Sequence, residues 1–178
     1  MKKYAAALLI LLIAAAGFAE PGYAWFVKPP QPFPPTFFAT LQIFTSPKDI
    51  ANFLHQNFKF APDEKIFGEE DYWQAPEEFW KNRKGDCEDY ALFSKSALEK
   101  LGIEAFVVSL YGDRGYGHTV TVFREEGRYN VINEDRLYNF RSKSIEEALT
   151  RIHPGWTWGA VARREGNRGW LIRELQNT

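Results

Sequence analysis

A single cysteine, Cys87, stands among 178 residues, so no disulfide can close within the chain. An excess of charge is missing too: 22 Lys and Arg face 23 Asp and Glu, which leaves no general footprint for nucleic acid. No internal repeat is found. The glycines of Gly112-Asp113-Arg114-Gly115-Tyr116-Gly117 have no helix directly behind them, which excludes a phosphate cradle. What is abundant is aromatic. Six Trp, eight Tyr and fifteen Phe indicate one well-packed globule with a sizeable core rather than a disordered chain.

Lys2-Lys3 followed by the apolar run Tyr4 to Ala16 reads as an export signal. Small residues at Gly17-Phe18-Ala19 and at Gly22-Tyr23-Ala24 place cleavage near 19 or 24. The run is shorter than the ~20 residues of a spanning helix, so no transmembrane span is expected in the mature chain. The expected organisation is a signal peptide over 1–24, a proline-rich lead over 25–35 and one domain over 36–178. The protein is then periplasmic or secreted. In such an oxidising compartment a structural cysteine normally has a partner. Cys87 is left as an inert buried thiol, an intermolecular bridge or a reactive nucleophile.

Phe37 to Phe44 is apolar and reads as a short strand or the start of packing. Ser46-Pro47 opens a helix whose stripe is Ile50, Phe53, Leu54 and Phe58. Pro62-Asp63 marks a loop, and Ala75-Pro76 opens a second short helix. Lys84-Gly85-Asp86-Cys87-Glu88-Asp89-Tyr90-Ala91 then starts the central helix, with Asp86 as N-cap and Gly102 beyond Leu101 as its end. After Gly102 the period becomes that of strands: Glu104 to Tyr111, His118 to Phe123 and Tyr129 to Asn133. A Ser144-capped helix and a closing hairpin between Trp158 and Leu175 follow. Helices first and antiparallel strands after them make an α+β fold.

A thiol at a helix N-terminus feels the positive end of the dipole, while the carboxylates beside it push the other way. As a nucleophile Cys87 needs a base and a group to orient that base. His55 lies one step off its helix stripe and His153 sits in a turn, whereas His118 opens a strand beside a glycine-rich loop. If Glu126-Gly127 is the hairpin turn, Asp135 lies opposite His118 and Asn133 lies diagonally, both on its face. Register alone leaves both open.

Tyr72-Trp73-Gln74-Ala75-Pro76-Glu77-Glu78, Gly85-Asp86-Cys87-Glu88-Asp89-Tyr90-Ala91, Gly117-His118-Thr119-Val120 and Tyr129-Asn130-Val131-Ile132-Asn133 are specific in combination. Over roughly Asp71 to Arg136 the chain resembles the transglutaminase-like cysteine peptidases of exported bacterial proteins, a branch of the papain-like superfamily. The resemblance implies a papain/transglutaminase-like fold, with Cys87 at the N-terminus of a central helix packed on an antiparallel sheet. It implies Cys87 as nucleophile and His118 as base. The third residue of the family, usually aspartate, follows an aromatic by four positions, which lands on Asn133, with Asp135 as the alternative. Asparagine can orient imidazole by accepting its hydrogen bond, though it offers no charge.

The backbone amide of Cys87 is the expected oxyanion donor, with the Gln74 side chain as a second candidate. Trp73 and Trp80 are read as packing. No organic cofactor is called for. Some exported relatives bind calcium beside the active site, and the resemblance leaves calcium open at Asp86, Glu88 and Asp89, whose ordinary reading is capping and dipole complementation. The implied activity is hydrolysis of an amide in a protein or peptide substrate through a thioester. The alternatives are acyl transfer to an amine, as in transglutaminases, and a non-catalytic protein-binding module on the same fold.

Overall fold

A computed structural model describes residues 33–112 and 117–177. The expected export signal and the proline-rich lead up to residue 32 lie outside the described residues, as does the loop 113–116 between Gly112 and Gly117. The chain divides into Met1–Phe33 and Pro34–Thr178, and the fold below is that of the second unit. No helix among the described residues is long and apolar enough to cross a membrane.

Helix α1 (Phe37–Gln42) occupies the stretch expected as a strand or a start of packing. Thr36 caps it by accepting from the Ala39 amide, a polar signal that apolar content alone conceals. Helix α2 (Pro47–Asn57) starts as expected at Ser46, which accepts from Asp49 N–H, and it buries Ile50 and Leu54 fully. Two short elements, β1 (Lys59–Phe60) and α3 (Asp63–Ile66), lead to α4 (Pro76–Asn82), β2 (Lys84–Gly85) and the central α5 (Cys87–Lys100). Strand β1 runs parallel to β2, with Ala61 N–H donating to the Gly85 carbonyl at 2.8 Å. The turn that delivers Cys87 is thereby tethered to the chain just after α2.

The remaining elements are β3 (Glu104–Gly112), β4 (Gly117–Glu125), β5 (Arg128–Asn133), β6 (Arg136–Ser142), α6 (Ile145–Ile152), β7 (Trp156–Glu165) and β8 (Arg168–Gln176). They form one sheet in the order β6-β5-β4-β3-β7-β8, and every neighbouring pair is antiparallel. Side chains alternate across it. Val107 and Ala162 face Ala91 and Leu92 of α5, whereas Val108, Leu110, Val120 and Val122 pack with Ile145, Ala148 and Leu149 of α6. Phe93 of α5 is fully buried on the far side from the sheet, ringed by Phe44, Phe53, Phe58 and Phe79. Thr121 Oγ1 donates to the Ala91 carbonyl at 2.8 Å and pins α5 to β4. The expected α+β arrangement is present.

Strand β6 was not expected from the sequence. Its burial alternates only weakly, and its partner β5 is itself well covered, so the edge strand carries little apolar signal. The hairpin of β4 and β5 has the expected register: Glu125 pairs with Arg128 and Thr121 with Ile132, across a turn with Glu126 and Gly127 at positive φ. That register does not extend to Asp135. Strand β5 ends at Asn133 and the chain turns through Glu134 at φ 50°, so the expected position of Asp135 opposite His118 is corrected.

Candidate active site

Gly85 brings the chain so close to the first turn of α5 that a Cβ there would collide with the Asp89 carboxylate and the Gln74 amide. Asp89 accepts from Asp86 N–H at 3.3 Å, from Gln74 N–H at 2.8 Å and from Gln74 Nε2 at 2.5 Å. Gln74 Nε2 also donates to the Lys84 carbonyl, and its Oε1 accepts from Asn82. Both amide hydrogens of this fully buried side chain are spent on holding the helix start. Gln74 is therefore a bracket, and its expected role as an oxyanion donor is corrected. Trp73 and Trp80 are packing with satisfied N–H groups, donating to Asp71 and to Thr40.

Cys87 follows directly, half-buried at the first position of α5. His118 lies near the start of β4 and Asn133 ends β5, and His118 Nε2 is 2.7 Å from Asn133 Oδ1. Asp135 is engaged elsewhere: His55 Nδ1 lies 2.8 Å from it, linking α2 to the β5–β6 turn. Cys87 and His118 line one cavity of about 290 Å³ together with Glu70, Asp71, Trp73, Ser109, Tyr111 and Thr119.

The thiol donates to Glu88 Oε2 at 3.2 Å. Burial first, then the carboxylates of Glu88 and Asp86, push the thiol pKa up. Carboxylates crowd this end of the cavity. Burial raises Asp63 to about 6, Glu88 to about 9 and Asp89 to about 7, and it raises Asp86 as well. Carboxylate oxygens of Asp63, Asp71 and Glu88 lie within 4.8 Å of one another, as do those of Asp63, Asp86 and Asp89. Asp63 Oδ1 and Asp86 Oδ1 are buried without a hydrogen-bond partner. Orphaned hard oxygens in a desolvated cluster fit a hard cation. Asp63 and Asp71 were not singled out in the sequence, because a Pro-Asp loop start and an acidic loop are ordinary surface signals.

Residues 34–138 match the bacterial transglutaminase-like cysteine proteinase family BTLCP. The chain belongs to that family. Family membership carries with it the papain/transglutaminase-like fold seen in the α5–sheet arrangement. Among solved structures, Legionella pneumophila LapG aligns over 71% of this chain and 67% of its own, at 20% identity and a TM-score of 0.46. LapG is also known in a calcium-bound form, matched at 21% identity and a TM-score of 0.44, covering 71% of this chain and 68% of that one. A crystal structure of a TGase matches over 61% of this chain and 27% of its own, at 16% identity and a TM-score of 0.37. No curated protein matches the chain. The BTLCP member thus spans about two thirds of the length of LapG.

Proposed function

We propose that this protein is an exported peptidase that cuts an amide bond through a thioester on Cys87. The observation that carries the reading is His118 on the wall of the cavity that holds the thiol, with its Nε2 2.7 Å from Asn133 Oδ1. Nε2 donates to Asn133, so Nδ1 takes the thiol proton. The sulfur attacks the substrate carbonyl carbon, an S–C bond forms and the C=O pair moves onto oxygen. Collapse of that intermediate breaks the C–N bond, and the amine leaves with the proton from His118. Water, deprotonated by His118, then cleaves the thioester and returns the thiol. The Cys87 amide at the start of α5 is one donor for the oxyanion.

Asp63, Asp71, Asp86 and Glu88 would hold calcium, which supplies positive charge beside the nucleophile and offsets the carboxylates that keep the thiol protonated. Export is supported by Lys2-Lys3 and the apolar run behind it.

Iodoacetamide labelling of the purified protein in calcium tests the nucleophile. Cys87 is expected to react at neutral pH faster than free cysteine, with Cys87→Ala unlabelled and His118→Ala slowed. Labelling no faster than the free amino acid, or unchanged in His118→Ala, overturns the catalytic reading and favours the binding module. New peptide termini in a digest mark hydrolysis, and ammonia release with uptake of an added amine marks acyl transfer.

A further inference from the structure

Acyl transfer through a tetrahedral intermediate wants more than one donor for the developing oxyanion, and the Gln74 side chain is spent. We infer that the paired hydroxyls of Ser109 and Thr119 supply the second donor. This rests on Cys87 being the nucleophile, as proposed above.

Among the described residues, the side-chain donors on the cavity wall are few. Trp73 Nε1 is committed to Asp71 at 2.9 Å and His118 Nε2 to Asn133 at 2.7 Å. Ser109, Tyr111 and Thr119 remain. Ser109 on β3 and Thr119 on β4 are directly paired across the strands, with Oγ and Oγ1 2.9 Å apart. Two hydroxyls carry two protons, and their mutual bond uses one. The second proton has no acceptor among the described residues. Each residue keeps 5% of its surface exposed, and both line the cavity, so the unspent proton has the reaction space to point into.

The pair is also next to the nucleophile. Ser109 and Thr119 line the same cavity as Cys87, and Thr121 Oγ1, two residues along β4, donates to the Ala91 carbonyl at 2.8 Å, which holds β4 against the N-terminal half of α5. Two short side chains on paired central strands lose little freedom on holding their positions, the condition under which a fixed dipole stabilises charge that appears only in the transition state. Tyr111 is the weaker candidate: it lies over Gly117, tilts onto Trp158 and is 37% exposed.

Two reagents separate an oxyanion donor from a group that merely positions the thiol. Acylation of Cys87 by p-nitrophenyl acetate passes through an oxyanion, whereas alkylation by iodoacetamide displaces iodide at a saturated carbon and does not. In Ser109→Ala/Thr119→Val, acylation is expected to slow about 100-fold, with alkylation at the wild-type rate. The two single variants fall between, and Thr119→Ser restores acylation. Equal slowing of both reagents, unchanged acylation in the double variant, or a loss seen in Tyr111→Phe instead overturns the inference. The folded state of each variant is checked by its alkylation rate, and the singles serve if the double does not fold. If wild-type Cys87 reacts with neither reagent faster than free cysteine, the parent reading fails instead.

Discussion

Asn133 accepts from His118 at 2.7 Å and fixes the ring without adding charge. An orienter of this kind contributes by keeping one tautomer and one ring angle. Asn133→Ala is therefore expected to lower kcat about 100-fold or more, with KM little changed, in steady-state assays of whichever peptide the digest identifies. Asn133→Asp also accepts from Nε2 and adds charge that stabilises imidazolium, so it should stay within about tenfold of wild type. Asp135→Asn is the contrast. Its partner His55 is 73% exposed, and an exposed pair contributes ~0–1 kcal/mol, so kcat should hold. A large loss in Asp135→Asn with Asn133→Ala active would return Asp135 to the site. Both residues were candidates in the sequence, because register arithmetic treats a strand as endless, and the left-handed Glu134 that ends it has no clear sequence signal.

At the scale of elements, the position of the thiol depends on packing around Gly85 as much as on the helix that carries it. The Gly85 carbonyl ties β2 to the residue after β1, and the absent Cβ lets the Asp89 carboxylate and the Gln74 amide close over the turn. Gly85→Ala forces that bracket apart. Overpacking of this kind costs about 1–3 kcal/mol, so urea unfolding should show a loss of that size, together with a changed iodoacetamide rate at Cys87. A stable Gly85→Ala with normal labelling would mean that the bracket does not position the thiol. The helix was legible because its signals are local: acids in the first turn, a closing glycine and Asp86 at the cap position, although the Asp86 side chain makes none of the expected capping hydrogen bonds. The bracket was not legible, because Gln74 and Asp89 meet across α4 and β2, a tertiary contact that the periodicity of neither element describes. Strand β6 and helix α1 were missed for a related reason. One is an edge with a weak alternation, and the other is a single capped turn and a half written in apolar residues.

Across the whole molecule the charges nearly cancel, yet the acids are not evenly spread. The loop through α3 and Asp71 carries carboxylates from far upstream onto the first turn of α5, where Asp63, Asp71, Asp86 and Glu88 collect beside a thiol. Sequence supplied the two acids adjacent to Cys87, and only the tertiary fold supplies the other two. Burying like charges is unfavourable unless something pairs with them, so a cation that binds only the folded state should raise its stability. At about 100 times its Kd the gain is about 2.7 kcal/mol, which for a chain of this size is a rise of roughly 5–10 °C in Tm. Calorimetry of the chelator-treated protein against the calcium-loaded one reads this without any substrate. Asp63→Asn separates the causes, since Tyr72 N–H can still donate to its remaining oxygen. The variant should lose most of the calcium increment and be no less stable than wild type in chelator, because one uncompensated carboxylate has gone. An increment that survives Asp63→Asn would place the cation elsewhere, and no increment at all would leave the cluster as a strained set of carboxyls that share protons.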